Sequence, residues 1–305
     1  MRKNYKNKLL VVITGPTAVG KTETSIRIAE KLNTGIISAD ARQFFKELKI
    51  GTAAPTPSEL TRVKHYLAGH LSIFDYYNVS MFEQEALSAL DEIFVKSDFA
   101  ILTGGSGLYI DTLCRGIDAI PDTRPDIRNK VKDIYKNEGM QGLRKLLEKT
   151  DPEYFHEVDK ANPNRMMRGL EIFYSTGEKF SDLRKRTSVQ RPFSIRKIIL
   201  NRPRQQLNER INLRTQIMIR EGLIEEAIRF FPLRHLNALN TVGYKELFAW
   251  MQNHLPLKVA LEKISTNTRR YAKRQLTWFR KYDDATWFLP EEENQILSYI
   301  QKERD

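Results

Sequence analysis

Along the first third of the chain, short apolar runs alternate with segments of helical period. Residues 9–14, "LLVVIT", form an unbroken apolar run of strand length. Residues 21–32 repeat apolar positions three and four apart, which predicts an amphipathic helix. "NTG" at 33–35 is a turn, 36–39 a second strand, 81–94 a helix, and 99–103 a third strand running into "GGSG". Strands that alternate with helices predict a parallel sheet covered on both faces.

The period changes after Ile120. "PDTRP" at 121–125 reads as a linker. From 126 to 175 only helical periodicity is present, with loops at "EKTDPE" and "KANPN". "SIRKIILNR" at 194–202 returns to a strand. The remainder is helical up to "ATWFL" at 285–289, a last strand. The predicted class is therefore α/β. Residues 1–120 and 191–305 form a parallel-sheet core of the P-loop NTPase type, and 121–190 are a helical insertion.

The stretch between the first strand and the first helix carries the chemistry. Gly15, Gly20, Lys21 and Thr22 fill every fixed position of G-x-x-x-x-G-K-[ST] in "GPTAVGKT", where Pro16, Thr17, Ala18 and Val19 complete the loop. Glycines let backbone N–H groups close on phosphate oxygens, and the helix start adds positive potential. Lys21 is placed to bridge phosphates and Thr22 to reach Mg²⁺. Two parallel strands joined by a helix end on one sheet edge, where ligands sit. Asp40 follows the second strand, so it faces the phosphate loop as a base or a metal ligand. The third strand ends "ILTGGSG" without a carboxylate, where a P-loop ATPase carries one.

A misfit marks the other side of that site. After "ILNRPR", Leu207, Ile211 and Met218 form an apolar stripe, and position 214 of the stripe is Arg214, with Arg210 four residues before it. An arginine on an apolar face must meet an anion. That anion is either an acid of the core or bound phosphate.

Charge then changes the picture. The chain has 50 Lys and Arg against 38 acids, a net charge of +12, which favours a polyanionic partner. "NTRRYAKRQLTWFRKY" at 267–282 carries Arg269, Arg270, Lys273, Arg274, Arg280 and Lys281 with no acid among them, interleaved with Tyr271, Trp278 and Phe279. Cations at helical spacing can follow a phosphate backbone and aromatics can stack on bases, although Trp278 and Phe279 are equally suited to a core. Arg124, Arg128, Arg165 and Arg168 add basic groups to the insertion. One cysteine, Cys114, excludes an internal disulfide and a Cys-based metal cluster. No apolar run approaches the length of a membrane span. The basic stretch 1–8 precedes too short an apolar run for a signal peptide. A reducing, cytoplasmic setting is the expectation, and no dimer element is evident, so a monomer is expected.

Together "GPTAVGKT", "SADARQ", "IGTAAP", "GGSGLY", "NRMMRGLEI", "REGLIEEA", "TVGYKEL" and "AKRQLTWFRK" resemble, in order and spacing, the tRNA dimethylallyltransferase (tRNA isopentenyltransferase) family over nearly the whole chain. The resemblance implies transfer of a dimethylallyl group from its diphosphate to the exocyclic amine of the adenosine 3′-adjacent to the anticodon, in tRNAs reading codons that begin with U. It implies that the helical insertion closes on the anticodon arm. It also implies that Asp40 is the general base, that Thr17, Lys21 and Thr22 meet the diphosphate and Mg²⁺, and that Arg214 meets the leaving diphosphate. On the same grounds the tRNA contacts are Asp40, Ala41, Arg42, Gln43 and Ser106, then Arg128, Asn164, Arg165 and Arg168 in the insertion, and Gly243, Lys273, Arg274 and Arg280.

The chain departs from that family's pattern at four places: Ala41 stands for a serine, Phe45 for a tyrosine, Ala54 for a lysine and Ser106 for a threonine. None of these is a catalytic position. The competing readings are a nucleotide or small-molecule kinase, prenyl transfer to a free adenine nucleotide, and a non-catalytic RNA-binding paralogue.

Overall fold

The computed structural model describes residue 5, residues 7–185 and residues 188–302. Positions 1–4 and 6 of the basic opening stretch lie outside the described residues. The chain divides into two compact units, Met1–Arg115 with Gln190–Asp305, and Gly116–Val189.

The first unit is built on six strands: β1 Leu9–Thr14, β2 Ile36–Ser38, β3 His65–Tyr66, β4 Phe99–Gly104, β5 Ser194–Leu200 and β6 Ala285–Phe288. All pair in parallel in the order β3-β2-β4-β1-β5-β6. The continuous apolar run of β1 now has its reason. Leu10 and Val12 join Ile37, Phe82, Leu90 and Leu102 in one buried cluster. Leu9, Val11 and Ile13 join Ile26, Ile36, Ile101 and Ile198 in a second. Alternate residues feed opposite clusters, so the central strand has no polar side.

The helices Lys21–Lys31, Val79–Lys96, Arg204–Arg220 and Leu257–Phe279 belong to this unit. So do the helix Gly107–Arg115 after β4 and a closing helix Glu293–Gln301, neither of which the periodicity singled out. A third cluster gathers Phe45, Leu48, Met218, Leu223, Phe230, Tyr244, Leu247 and Ile264 away from the sheet. It supports the segment between β2 and β3, which the sequence pattern left undefined.

Register sets up the site. Thr14 pairs with Gly104 and Ser38 with Thr103, so β1, β2 and β4 end level with one another. The phosphate loop, Asp40 and "GGSG" therefore leave the sheet along one edge.

The second unit is helical, with its own core of Val131, Leu143, Leu147, Tyr154, Met166, Leu170 and Phe180. Its longest helix, Pro125–Thr150, is interrupted at Gly139, whose φ of 63° breaks the helical path. Asp151 is fully buried and caps the next helix, accepting from the Tyr154 N–H at 3.0 Å and from the Ser181 N–H and hydroxyl at 2.9 and 2.7 Å. Such a cap satisfies N–H groups that a helix start leaves open. Among the described residues, no helix is long and apolar enough to cross a membrane.

Candidate active site

The loop after β1 can form only with glycine at its first position. Gly15 has a φ of 151°, and a Cβ there would run into the carbonyl of Leu200 at the end of β5. Ala18 adopts a φ of 65° and Gly20 one of 119°, and Gly20 opens the helix that begins at Lys21. The Lys21 ammonium donates to the carbonyls of Gly15 and Pro16, both at 2.9 Å, and so arches over its own loop. Burial pushes Lys21 down to about 8; Asp40 opposes that shift and Arg214 adds to it.

Three arginines clasp the loop at successive residues. Arg214 donates to the Thr17 hydroxyl at 2.7 Å, Arg210 to the Ala18 carbonyl at 2.8 Å and Arg202 to the Val19 carbonyl at 2.8 Å. The misfit on the apolar stripe is met here not by an ion pair with a core acid but by a hydroxyl: Leu207, Ile211 and Met218 are buried, and Arg214 leaves the stripe to reach Thr17. Burial lowers the pKa of Arg214, with Asp40 opposing the shift and Arg210 adding to it. Arg202 was not anticipated, although "NRPR" carried it in plain sight.

Asp40 sits two residues beyond β2. One carboxylate oxygen accepts from the Arg42 backbone N–H at 3.0 Å, which fixes the turn. The Ala41 N–H donates to the Ser106 hydroxyl at 3.0 Å and ties this turn to the "GGSG" loop. Gln275, not anticipated either, joins the same assembly. Its amide oxygen accepts from the Thr17 N–H at 2.8 Å, and its amide nitrogen donates to the Gly105 carbonyl at 2.9 Å.

A cavity of about 910 Å³ opens above this edge. Its lining is mixed: Thr17, Lys21, Thr22, Asp40, Arg210 and Arg214 are polar, Phe45, Ile50, Ala53, Ala54, Pro55, Ile217 and Met218 apolar, and Lys46, Lys49, Glu59 and Glu221 add further charges. The wall at residues 49–51 is held from behind. The carboxylate of Glu226 accepts from the N–H groups of Lys49, Ile50 and Gly51 at 3.2, 3.0 and 2.8 Å, and from the Tyr244 hydroxyl at 2.6 Å. Gln43 donates to the carbonyls of Thr52 and Ala53 at 3.3 and 2.8 Å.

The remaining residues expected at the site divide by where their side chains go. The Arg42 guanidinium donates to the carbonyls of Asn237, Ala238 and Asn240 and holds that turn. Gly243 is buried at the start of the helix Tyr244–Met251, with a φ of 100° and its N–H donating to Glu246. Lys273, Arg274 and Arg280 are exposed on the helix Leu257–Phe279 and just beyond it, whereas Phe279 is fully buried and Trp278 half-buried. The open choice for those two aromatics thus resolves toward packing: Trp278 lies against Gly107 and donates to Asp111 at 3.1 Å.

In the helical unit, Asn164 and Arg165 are exposed in the first turn of the helix Pro163–Thr176. Arg168 donates to the Thr123 hydroxyl at 2.7 Å and lies 3.8 Å from Glu171, which Arg128 approaches at 4.0 Å from another helix. Two guanidiniums around one acid leave this helical surface net positive.

Among the described residues no cluster of three or more His, Cys, Asp or Glu could hold a metal ion by itself. What the lining does offer beside Lys21 is the Thr22 hydroxyl and the Asp40 carboxylate. That donor set fits a hard cation such as Mg²⁺ carried in on phosphate oxygens, which keeps several of its waters.

Similarity to known proteins agrees with this geometry. The IPP transferase family model matches residues 43–282. The chain is 47% identical over 291 residues to tRNA dimethylallyltransferase 1 of Bacteroides thetaiotaomicron, covering 95% of this chain and 94% of that protein. It is 49% identical over 282 residues to tRNA dimethylallyltransferase 2 of Porphyromonas gingivalis, covering 92% and 94%. Among solved structures it resembles the tRNA isopentenylpyrophosphate transferase of Bacillus halodurans, with a TM-score of 0.71 and 32% identity over 96% of this chain and 95% of that one. It also resembles a eukaryotic dimethylallyltransferase described as acting on tRNA, with a TM-score of 0.77 and 25% identity over 94% of this chain and 75% of that one. The chain belongs to the IPP transferase family, alongside the tRNA dimethylallyltransferases.

Proposed function

We propose that the chain transfers the dimethylallyl group of dimethylallyl diphosphate to the exocyclic amine of the adenosine 3′-adjacent to the anticodon in tRNA, releasing diphosphate. The observation that carries this reading is the mixed lining of the cavity at the phosphate loop. A donor with a charged head and a branched apolar tail matches the cations Lys21 and Arg214 with Thr22, and the apolar side chains Phe45, Ile50, Ile217 and Met218 in the same cavity.

Asp40 lines the same cavity beside the phosphate loop. In this reading the amine lone pair attacks the first carbon of the dimethylallyl group, and the bond from that carbon to the diphosphate oxygen breaks. Asp40 takes the amine proton. Lys21, Arg214 and the loop N–H groups stabilise the charge that collects on the leaving diphosphate. Mg²⁺, held through Thr22, supplies further neutralisation of the diphosphate. The target base must leave its stack to reach the cavity. The exposed cations Lys273, Arg274 and Arg280, with Arg165 and Arg168 of the helical unit, serve the tRNA backbone. The chain works as a monomer in the cytoplasm, where its tRNA substrate resides.

The kinase reading is weaker. It leaves the apolar side chains of the lining without a purpose, and β4 ends without the carboxylate that P-loop ATPases carry.

The test is to incubate the purified chain with dimethylallyl diphosphate, Mg²⁺ and unmodified tRNA, then analyse nucleosides by mass spectrometry. A dimethylallyl mass gain on adenosine is expected. No gain while tRNA still binds would leave a silent RNA-binding paralogue. Phosphoryl transfer from ATP in its place would establish the kinase.

A further inference from the structure

The helix Leu257–Phe279 presents two different faces. Its exposed face carries the cations Lys273 and Arg274. Its buried face runs Ala260, Ile264, Thr268, Ala272, Gln275 and Phe279. Gln275 is only 5% exposed, so it is not available to a macromolecule at the surface. It lies on the line between the two loops that carry the site.

We propose that Gln275 is a positioning residue that locks the phosphate loop to the turn bearing Asp40, and so sets the distance between base and leaving group. The inference rests on the prenyl-transfer reading above. Its amide oxygen accepts from Thr17 N–H, and the Thr17 hydroxyl accepts from Arg214. Its amide nitrogen donates to the Gly105 carbonyl, and the next residue, Ser106, accepts from the Ala41 N–H beside Asp40. One planar group thus couples Arg214 and Thr17 on one side to Asp40 on the other. Glutamine suits this place chemically. It needs one donor and one acceptor on the same rigid plane, which a carboxylate or an ammonium cannot offer. Gly105 answers in kind: a Cβ there would run into the Gln275 amide nitrogen.

Two variants separate positioning from RNA contact. Gln275→Met keeps the volume and removes both hydrogen bonds. Gln275→Glu keeps the acceptor for Thr17 but turns a second acceptor toward the Gly105 carbonyl. Protonation of that carboxyl restores a donor. The ionisable groups along this edge are Asp40, Lys21, Arg42, Arg210, Arg214 and Tyr271; a carboxylate at 275 couples to them, so Gln275→Met, which adds no charge, is the reference at each pH.

The expected result for Gln275→Met is a fall in kcat of about 100-fold with KM for tRNA unchanged. For Gln275→Glu, kcat relative to Gln275→Met should rise as pH falls. A raised KM for tRNA with kcat intact would make Gln275 an RNA contact and overturn the inference. So would a kcat for Gln275→Met equal to that of the unsubstituted chain. Binding of Mg²⁺–pyrophosphate, measured by calorimetry, is the readout that does not need prenyl transfer. If the unsubstituted chain binds pyrophosphate but does not modify tRNA, the prenyl-transfer reading fails. A several-fold loss of pyrophosphate affinity in Gln275→Met would then still support the lock, and unchanged affinity would overturn it.

Discussion

The helices Arg204–Arg220 and Leu257–Phe279 flank the same site and follow the same rule, yet only one of them announces it. Each has a largely apolar face on which a long polar side chain stands out, Arg214 in the first and Gln275 in the second. Each of these side chains turns onto the phosphate loop at Thr17, one by its hydroxyl and one by its backbone N–H. The difference is charge. A guanidinium among leucines is a conflict that must be resolved by an anion, so it is visible in a sequence. A buried amide is satisfied by any paired donor and acceptor, and in a helix dense with lysine and arginine it draws no attention. Helices around a ligand therefore hide their neutral positioning groups more effectively than their charged ones.

The strongest way to break this pairing is to remove the group that both helices serve. Asp40→Asn should lower kcat by about 100- to 10,000-fold while tRNA affinity stays, because a base is lost but no contact surface is. Filter binding beside single-turnover assays separates the two, and unaltered turnover would leave both helices without a base to position. Arg214→Ala comes next, with an expected loss of about 100- to 1,000-fold in kcat at saturating tRNA. If only tRNA affinity falls, Arg214 belongs with the outer cations and the parallel with Gln275 collapses.

Smaller effects sharpen the contrast between the faces of the second helix. Replacing Lys273 and Arg274 together by alanine should leave kcat alone. It should lower the slope of log affinity for tRNA against log salt by about 1.5. An unchanged slope would move the RNA path elsewhere. The smallest effect concerns pH. Lys21 loses its proton as pH rises through about 8 in the free protein, so pyrophosphate affinity should weaken above that pH. Arg214 helps push Lys21 down. In Arg214→Ala the same weakening should therefore begin at higher pH, and calorimetry across the range 7 to about 10 checks the displacement.

How much was legible follows the same line. The phosphate loop could be read residue by residue because its backbone path admits few side chains at Gly15 and Gly20. Asp40 followed from strand direction alone, since parallel strands end together. Most strands were placed to within two residues: β1 spans the predicted 9–14, β2 stops one residue short of the predicted 39, and β5 stops two short of 202, whereas the two-residue β3 at His65–Tyr66 was missed. Other features were out of reach. Glu226 holds residues 49–51 across more than 170 positions of sequence, and no local pattern encodes that pairing. The apolar lining of the cavity is assembled from residues between 45 and 55 together with Ile217 and Met218, segments far apart in the sequence. The break at Gly139 was lost because the segments on either side share one helical period.

The cradle that Glu226 makes for residues 49–51 has a consequence for adapting the enzyme to other donors. At residues 49–51 the wall is suspended by its backbone amides from an anchor outside it, so the path of the chain there does not rest on side-chain packing alone. Ala54 can therefore be exchanged for a larger group without unhooking the loop, whereas Ala53, held at a φ of 49°, admits few others. The depth offered to the donor's tail becomes a dimension that protein engineering, or drift in a lineage, can adjust one side chain at a time.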